Sequence, residues 1–280
     1  MQDQRTPQYY YRQIRFGPGS ISPVVRALLT ANIVVFLIQT VLNYTGHGGW
    51  LEINAGMTPG LFVKRFYLWQ PLTYMFLHGS FMHIFFNMFF LWMFGTEVEQ
   101  TMGSRTFGIY YFFCGIGAGL LTCLLNATVF KSTGFMTPTI GASGAIYGVL
   151  IAFGLIFPER MILVFFVLPV KALIFVIGMG LIELYLMVTM PNGGIAYVAH
   201  VGGMLFGLIF IRYRVAILGF VENILSGRLA RADGYYDYAS AQAKVDLILD
   251  KINREGMHKL SRSERNFLKE HIRRLRNRPP

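Results

Sequence analysis

Thr139-Ile-Gly-Ala-Ser-Gly-Ala-Ile-Tyr147 sets one hydroxyl, that of Ser143, between Gly141 and Gly144 at the head of an apolar run reaching about Phe157. Glycines beside a serine commonly do no more than let helices approach closely. The stretch gains weight from two further apolar segments carrying groups that hydrocarbon rarely tolerates. One holds His83 and Asn87, the other His200.

Composition fixes the solvent. The 280 residues are 54% hydrophobic, 15% aromatic and only 14% charged, against about 25% charged in soluble domains. Apolar runs of about 18 residues or more predict an all-α, multi-spanning membrane protein. The formal net charge of +11 suggests a nucleic-acid binder at first, but its uneven distribution reports topology, and no nucleic-acid partner is expected. Cys114 and Cys123 lie in one apolar run and offer neither a disulfide framework nor metal-ligand spacing, so no metal or cofactor is expected. Residues 1–21 are polar, with Arg5, Arg12 and Arg15 and no apolar core close behind Met1. The first span is therefore expected to serve as its own uncleaved insertion signal.

Six apolar segments are read at 24–43, 76–95, 106–127, 142–157, 171–189 and 195–213. They divide the chain into an N-terminal tail (1–22), a six-span membrane domain (23–213) and a basic tail (214–280). Lys and Arg orient it. Four precede or open the first span, Arg105 follows the second, Arg160 and Lys171 follow the fourth, and fifteen lie from Arg212 onward. The opposite side holds only Lys64, Arg65 and Lys131. Both termini are predicted inside, in a cell membrane such as the bacterial inner membrane. The outward segment Thr45–Pro71, rich in Gly, Trp and Tyr, suits an interfacial position. In the tail, a linker at 234–238 precedes two amphipathic helices. The first carries Val245, Ile248, Leu249 and Ile252 and stops at Gly256. The second opens on the capping box Ser261-x-x-Glu264 and is expected to bury Phe267, Leu268, Ile272 and Leu275. A solvated hairpin is the plainer reading; a basic surface for anionic lipid or a protein partner is the alternative.

With this topology, spans two, four and six run from outside to inside. His83, Ser143 and His200 then sit within about two turns of the outer face, at about 1.5 Å per residue. Gly144-x-x-x-Gly148 and Ala199-x-x-x-Gly203-x-x-x-Gly207 are small-residue seams that bring spans four and six together. Ser143 and Tyr147 share a face. A hydroxyl and an imidazole on closely packed helices form a nucleophile–base pair, Ser143 with His200. His83 and Asn87, four apart on span two, supply N–H donors that with the Ser143 backbone N–H would stabilise an oxyanion. Nothing in the sequence aims a carboxylate at His200; Glu183 on span five reads as a structural group bonded within the bundle. A dyad is expected.

These residues resemble the rhomboid intramembrane serine proteases over most of residues 24 to 213. The carrying pieces are His78-Gly-Ser-Phe-Met-His83-Ile-Phe-Phe-Asn87, Gly141-Ala-Ser143-Gly144 and Ala199-His200-Val-Gly-Gly203-x-x-x-Gly207. Each alone is unspecific; in this order on these spans they are highly specific. The resemblance implies that Ser143 is the nucleophile and His200 the base. It also implies that His83 and Asn87 line the oxyanion hole, that Tyr147 packs on His200, and that Glu99 ties helix ends. It gives His78 a structural or peripheral role, and His78 itself reads as an interfacial residue. Trp69-Gln70 stands where many members carry Trp-Arg, which leaves the loop's anchoring open. The implied substrates are single-spanning membrane proteins with small residues before the cut and helix-weakening residues beyond it. A hinge in the loop Met190–Gly194 and the neighbouring end of span five would admit them. Two rivals follow: a rhomboid-like protein that binds transmembrane helices without cutting them, and a small transporter lined by the same His and Asn residues.

Overall fold

The computed structural model describes residues 18–129, 135–164, 167–190, 194–229 and 238–276. The arginines of the N-terminal tail, nearly all of the 234–238 linker and most of the Met190–Gly194 loop lie outside the described residues.

Pro23 opens the first helix, α1 (Pro23–Tyr44), at a position where a missing N–H costs nothing. Its free N–H groups turn to one buried carboxylate. Glu99 accepts from the backbone N–H of Val24 at 3.0 Å and of Val25 at 2.9 Å, and from the hydroxyls of Ser22 and Ser104. Glu99 thereby joins three helix ends, satisfying donors that would otherwise be orphaned at a helix start.

The segment after α1 contains three short helices, α2 (Gly48–Ala55), α3 (Pro59–Arg65) and α4 (Gln70–Thr73). The second span begins later than its hydropathy suggests, at α5 (Phe81–Phe90), because the Ser80 hydroxyl caps the helix by accepting from the His83 N–H at 3.2 Å. It continues through a π-helical turn, Leu91–Gly95, into α6 (Thr96–Met102) and stops at Gly103, whose φ of 82° is accessible to glycine. Next come α7 (Ser104–Thr128) and α8 (Ser143–Ile156). A small antiparallel hairpin follows, β1 (Met161–Val164) with β2 (Leu168–Lys171), in register from Met161↔Lys171 to Val164↔Leu168. It amends the all-α expectation: the aliphatic runs on either side of the turn suit paired strands, and Pro169 is tolerated because each strand has a free edge. The bundle closes with α9 (Ala172–Thr189) and α10 (Gly194–Arg212), followed by α11 (Arg214–Leu229).

Among the described residues, four stretches are long and apolar enough to cross a membrane: Pro23–Tyr44, Phe81–Met102, Ser104–Thr128 and Ala172–Thr189. Tyr197–Arg212 and Arg214–Glu222 meet the same criterion only together, with a bend of 87° between them, and count as a fifth if the bent pair is one span. α8, with 14 residues, extends only about 21 Å at 1.5 Å per residue. It is sheathed by protein instead, touching α5, α7, α9 and α10. Large apolar side chains such as Leu37, Phe81 and Leu181 face outward from α1, α5 and α9, as expected where the surrounding solvent is hydrocarbon.

The chain forms two compact units, divided between Ile217 and Leu218. The second contains α12 (Tyr238–Glu255), a tight turn at Met257–Lys259 and α13 (Arg262–Arg276). Gly256, at φ 86°, ends α12 as expected. The capping box is reciprocal: the Ser261 N–H donates to Glu264 at 2.7 Å, and the Glu264 N–H donates to the Ser261 hydroxyl at 3.1 Å. These bonds and the Lys251 ammonium at 3.0 Å hold the Glu264 carboxyl down to about 2. Val245 and Ile248 are buried, but Leu249 and Ile272 are exposed. The expectation that Ile272 is buried is therefore corrected; a two-helix hairpin has too little partner surface to cover the whole stripe. Leu275 lies outside the described side chains.

At the centre of the first unit, α8 and α10 touch backbone to backbone. A Cβ at Gly203 would overlap the Gly144 carbonyl oxygen, and one at Gly207 would stand 3.2 Å from the Gly148 Cα. Glycines on α7 also lie under side chains: Gly115 meets Met75, Gly117 the Phe206 ring and Gly119 Tyr74. A methyl group at Gly203 has nowhere to go without separating two helices. Gly203→Ala is predicted to destabilise the bundle by about 2–3 kcal/mol. Gly178→Ala, where a Cβ would meet nothing within 4 Å, should change stability by no more than about 1 kcal/mol. Denaturation of the two variants in detergent measures the difference.

Candidate active site

Ser143 is the first residue of α8, so its position depends on the segment leading into that helix. Thr139 pairs with Met57 through two backbone hydrogen bonds of 2.9 and 3.0 Å, and the Gly141 N–H donates to the Tyr74 carbonyl at 2.9 Å. Gly141 has φ 127°, and a Cβ there would stand 2.8 Å from His83 Nε2. Only glycine satisfies both the backbone and the neighbour.

The loop holding Met57 is anchored by Gln70, which is fully buried. Its Oε1 accepts from the Thr58 N–H at 3.1 Å, and its Nε2 donates to the Ile53 carbonyl at 3.0 Å. A neutral amide makes both bonds without bringing a charge into a closed site, which answers how a loop lacking the usual arginine is held.

His200 comes from α10 across the glycine seam. Its Nε2 lies 2.9 Å from Ser143 Oγ, and its Nδ1 lies 2.8 Å from Glu183 Oε2. The other oxygen of Glu183 accepts from the Tyr147 hydroxyl. The Tyr147 ring stacks on the imidazole, with centroids 4.3 Å apart and planes 16° from parallel. The expectation that no carboxylate accompanies the pair is therefore corrected. α9 is apolar around most of its circumference, so hydropathy could not give its rotation. A usable signal was present: an intramembrane acid needs donors, and Tyr147 and His200 are the donors it finds.

On α5, His83 Nδ1 accepts from the Gly79 N–H at 3.4 Å, which assigns the ring proton to Nε2, beside Gly141. Asn87 Nδ2 spends one N–H on the His83 carbonyl at 2.9 Å and keeps the other. Ser143, His200, His83, Asn87, Tyr147 and Gly141 all line one cavity of about 380 Å³. Gly144 lies just behind it, against Ala118 and the Ala199 carbonyl. His78 is not interfacial. It is 1% exposed and meets His83 edge-on at 5.0 Å. Among the described residues no cluster of three or more His, Cys, Asp or Glu side chains could hold a metal ion.

A family model described as the Rhomboid domain matches residues 65–217. The chain belongs to the rhomboid family. A second model, described as a family of unknown function (DUF6576), matches residues 236–274, the hairpin of α12 and α13. Rhomboid protein 1, mitochondrial, of Saccharomyces cerevisiae is 32% identical over 136 residues, covering 48% of this chain and 38% of that protein. The presenilin-associated rhomboid-like protein, mitochondrial, of Rattus norvegicus is 32% identical over 145 residues, covering 49% and 36%. RHOMBOID-like protein 5 of Arabidopsis thaliana is 33% identical over 82 residues, covering 29% and 25%. The match thus spans under two fifths of each of these relatives.

Gln70 is where the loop can be tested. Gln70→Ala leaves the Thr58 N–H without its buried acceptor and is predicted to lower the stability of this rhomboid by about 1–3 kcal/mol, measured as a shift in its denaturation midpoint in detergent.

Proposed function

We propose that this chain is an intramembrane serine protease that cuts single-spanning transmembrane proteins in or near the outer leaflet. The observation that carries the reading is the 2.9 Å contact between Ser143 Oγ and His200 Nε2, in a cavity that His83 and Asn87 also line. Family membership and the apolar spans support it. So does the Lys and Arg distribution, on which the domain has six spans in a cell membrane with both termini inside.

In this reading Ser143 Oγ attacks the scissile carbonyl carbon while its proton passes to His200 Nε2. The charge that develops on the carbonyl oxygen meets His83 Nε2–H, the free Asn87 N–H and the Ser143 backbone N–H. When the intermediate collapses, the C–N bond breaks and His200 returns its proton to the leaving amine. Water then attacks the acyl-enzyme, gives a proton to His200 and releases the carboxylate, and that proton goes back to Ser143 Oγ. These steps call for no metal or cofactor.

A peptide bond inside a helix is hidden by its own hydrogen bonds, so the substrate must unwind before it reaches Ser143. An apolar groove of about 530 Å³ between α5 and α9, lined by Phe86, Phe89, Met93, Ile174, Met179 and Ile182, gives a lateral route from lipid. The positively charged tail would face anionic lipid or a protein partner on the inner side.

The test is cleavage of a model single-span substrate by purified protein. Wild type should cut, and Ser143→Ala and His200→Ala should each lose more than about 10³-fold in rate while keeping the wild-type denaturation midpoint. Cleavage by Ser143→Ala at the wild-type rate would overturn the reading. Binding without cleavage by any of the three would favour the non-proteolytic alternative.

A further inference from the structure

We propose that Glu183 is a positioning residue for this chemistry, making the catalytic unit a Ser143–His200–Glu183 relay in which Tyr147 is the fourth, orienting member. The inference rests on the reading of Ser143 and His200 given above.

A lone imidazole beside a serine has two ways to fail. Its proton can sit on Nε2, where it points at the hydroxyl and leaves no lone pair to receive the serine proton. Its ring can also turn away. Both are closed off here by contacts on the far side of the ring. With Nδ1 at 2.8 Å from Glu183 Oε2, Nδ1 carries the proton and donates it in a hydrogen bond, so the lone pair of Nε2 faces Ser143 Oγ. Stacking on Tyr147 fixes the plane of the ring. Tyr147 in turn holds Glu183, because its hydroxyl donates to Oε1. The two carboxylate oxygens thus act as acceptors for two different side chains, one on α8 and one on α10, and neither oxygen is left unpaired.

The surroundings make such a bond strong. The Glu183 side chain is 7% exposed and that of His200 16%. When His200 takes the serine proton it becomes an imidazolium, and the adjacent carboxylate opposes that charge where water is scarce. In the ground state the same carboxylate contributes only a hydrogen bond. Its effect is therefore concentrated in the transition state, which lowers the barrier without tightening substrate binding. An acid inside an apolar helix is expensive and persists where it has a partner. Here the partner is the base itself.

The experiment compares wild type, Ser143→Ala, Glu183→Gln and Tyr147→Phe in the cleavage assay, and titrates each with a fluorophosphonate to count reactive serines. Glu183→Gln keeps the shape of the side chain but presents an amide N–H to one of its two donors. Its kcat is expected to fall about 100-fold or more, with KM within about threefold of wild type and close to one label per folded chain. A fall in kcat smaller than tenfold would overturn the proposal. So would a loss confined to KM, or a loss of labelling stoichiometry, each of which would mark Glu183 as structural. Tyr147→Phe keeps the stack and removes only the bond to Oε1, so kcat should fall about three- to tenfold; this variant carries the test if Glu183→Gln does not fold, and an unchanged kcat would then refute the proposal. Ser143→Ala separates the two levels. If it still cuts, the serine reading fails; if it is inactive while Glu183→Gln is not, only the relay fails.

Discussion

The meeting of α8 and α10 is a contact between backbones. Gly203 lies against the Gly144 carbonyl and Gly207 against the Gly148 Cα, so the two helices approach more closely than any pair separated by side chains. In hydrocarbon no hydrophobic effect drives helices together, and dispersion at this short range must hold the seam. Ser143 sits at the head of one helix and His200 near the start of the other. A separation of 2.9 Å between their reactive atoms follows from how little lies between the axes. The glycines are thus a condition of the Ser143–His200 contact as well as of the fold.

A second constraint acts on the polar groups. A donor or acceptor buried near the seam has no water to turn to, and the backbone pairings found there connect the site to its supports. Gly141 is fixed to the Tyr74 carbonyl, whose own side chain donates to the Gly115 carbonyl at 2.6 Å. Thr139 is fixed to Met57, and the segment beside Met57 to Gln70. The segment Thr45–Pro71 therefore reaches the residues leading into Ser143 through backbone hydrogen bonds, without any of its side chains lining the cavity. Glu99 performs the corresponding task at the opposite end of the bundle, gathering the starts of α1 and α7.

Much of this was legible in the residue order. Apolar runs locate every membrane helix but the second to within two residues, and polar residues inside those runs single out His83, Asn87, Ser143 and His200, which line one cavity. What the sequence withheld is rotational and local. α9 is apolar nearly all round, so nothing in its pattern said which way Glu183 points. The second span lies further along the chain than its hydropathy, because its start is set by the Ser80 cap and its end by Gly103. The strands Met161–Val164 and Leu168–Lys171 have no signature of their own, because two short aliphatic runs are ambiguous without their pairing. Helical spacing puts Ile272 on an apolar stripe, but spacing cannot say how much surface a partner offers, and Ile272 is exposed.

The most direct test of the Ser143–His200 pairing at the glycine seam is where a serine-reactive probe forms its bond. A crystal structure of the protein after reaction with a fluorophosphonate should show phosphorus bonded to Ser143 Oγ, the phosphoryl oxygen within hydrogen-bond reach of His83 Nε2 and Asn87 Nδ2, and His200 still against Glu183. An unmodified Ser143, or an adduct whose phosphoryl oxygen points away from α5 with His200 out of reach of the serine oxygen, would contradict it.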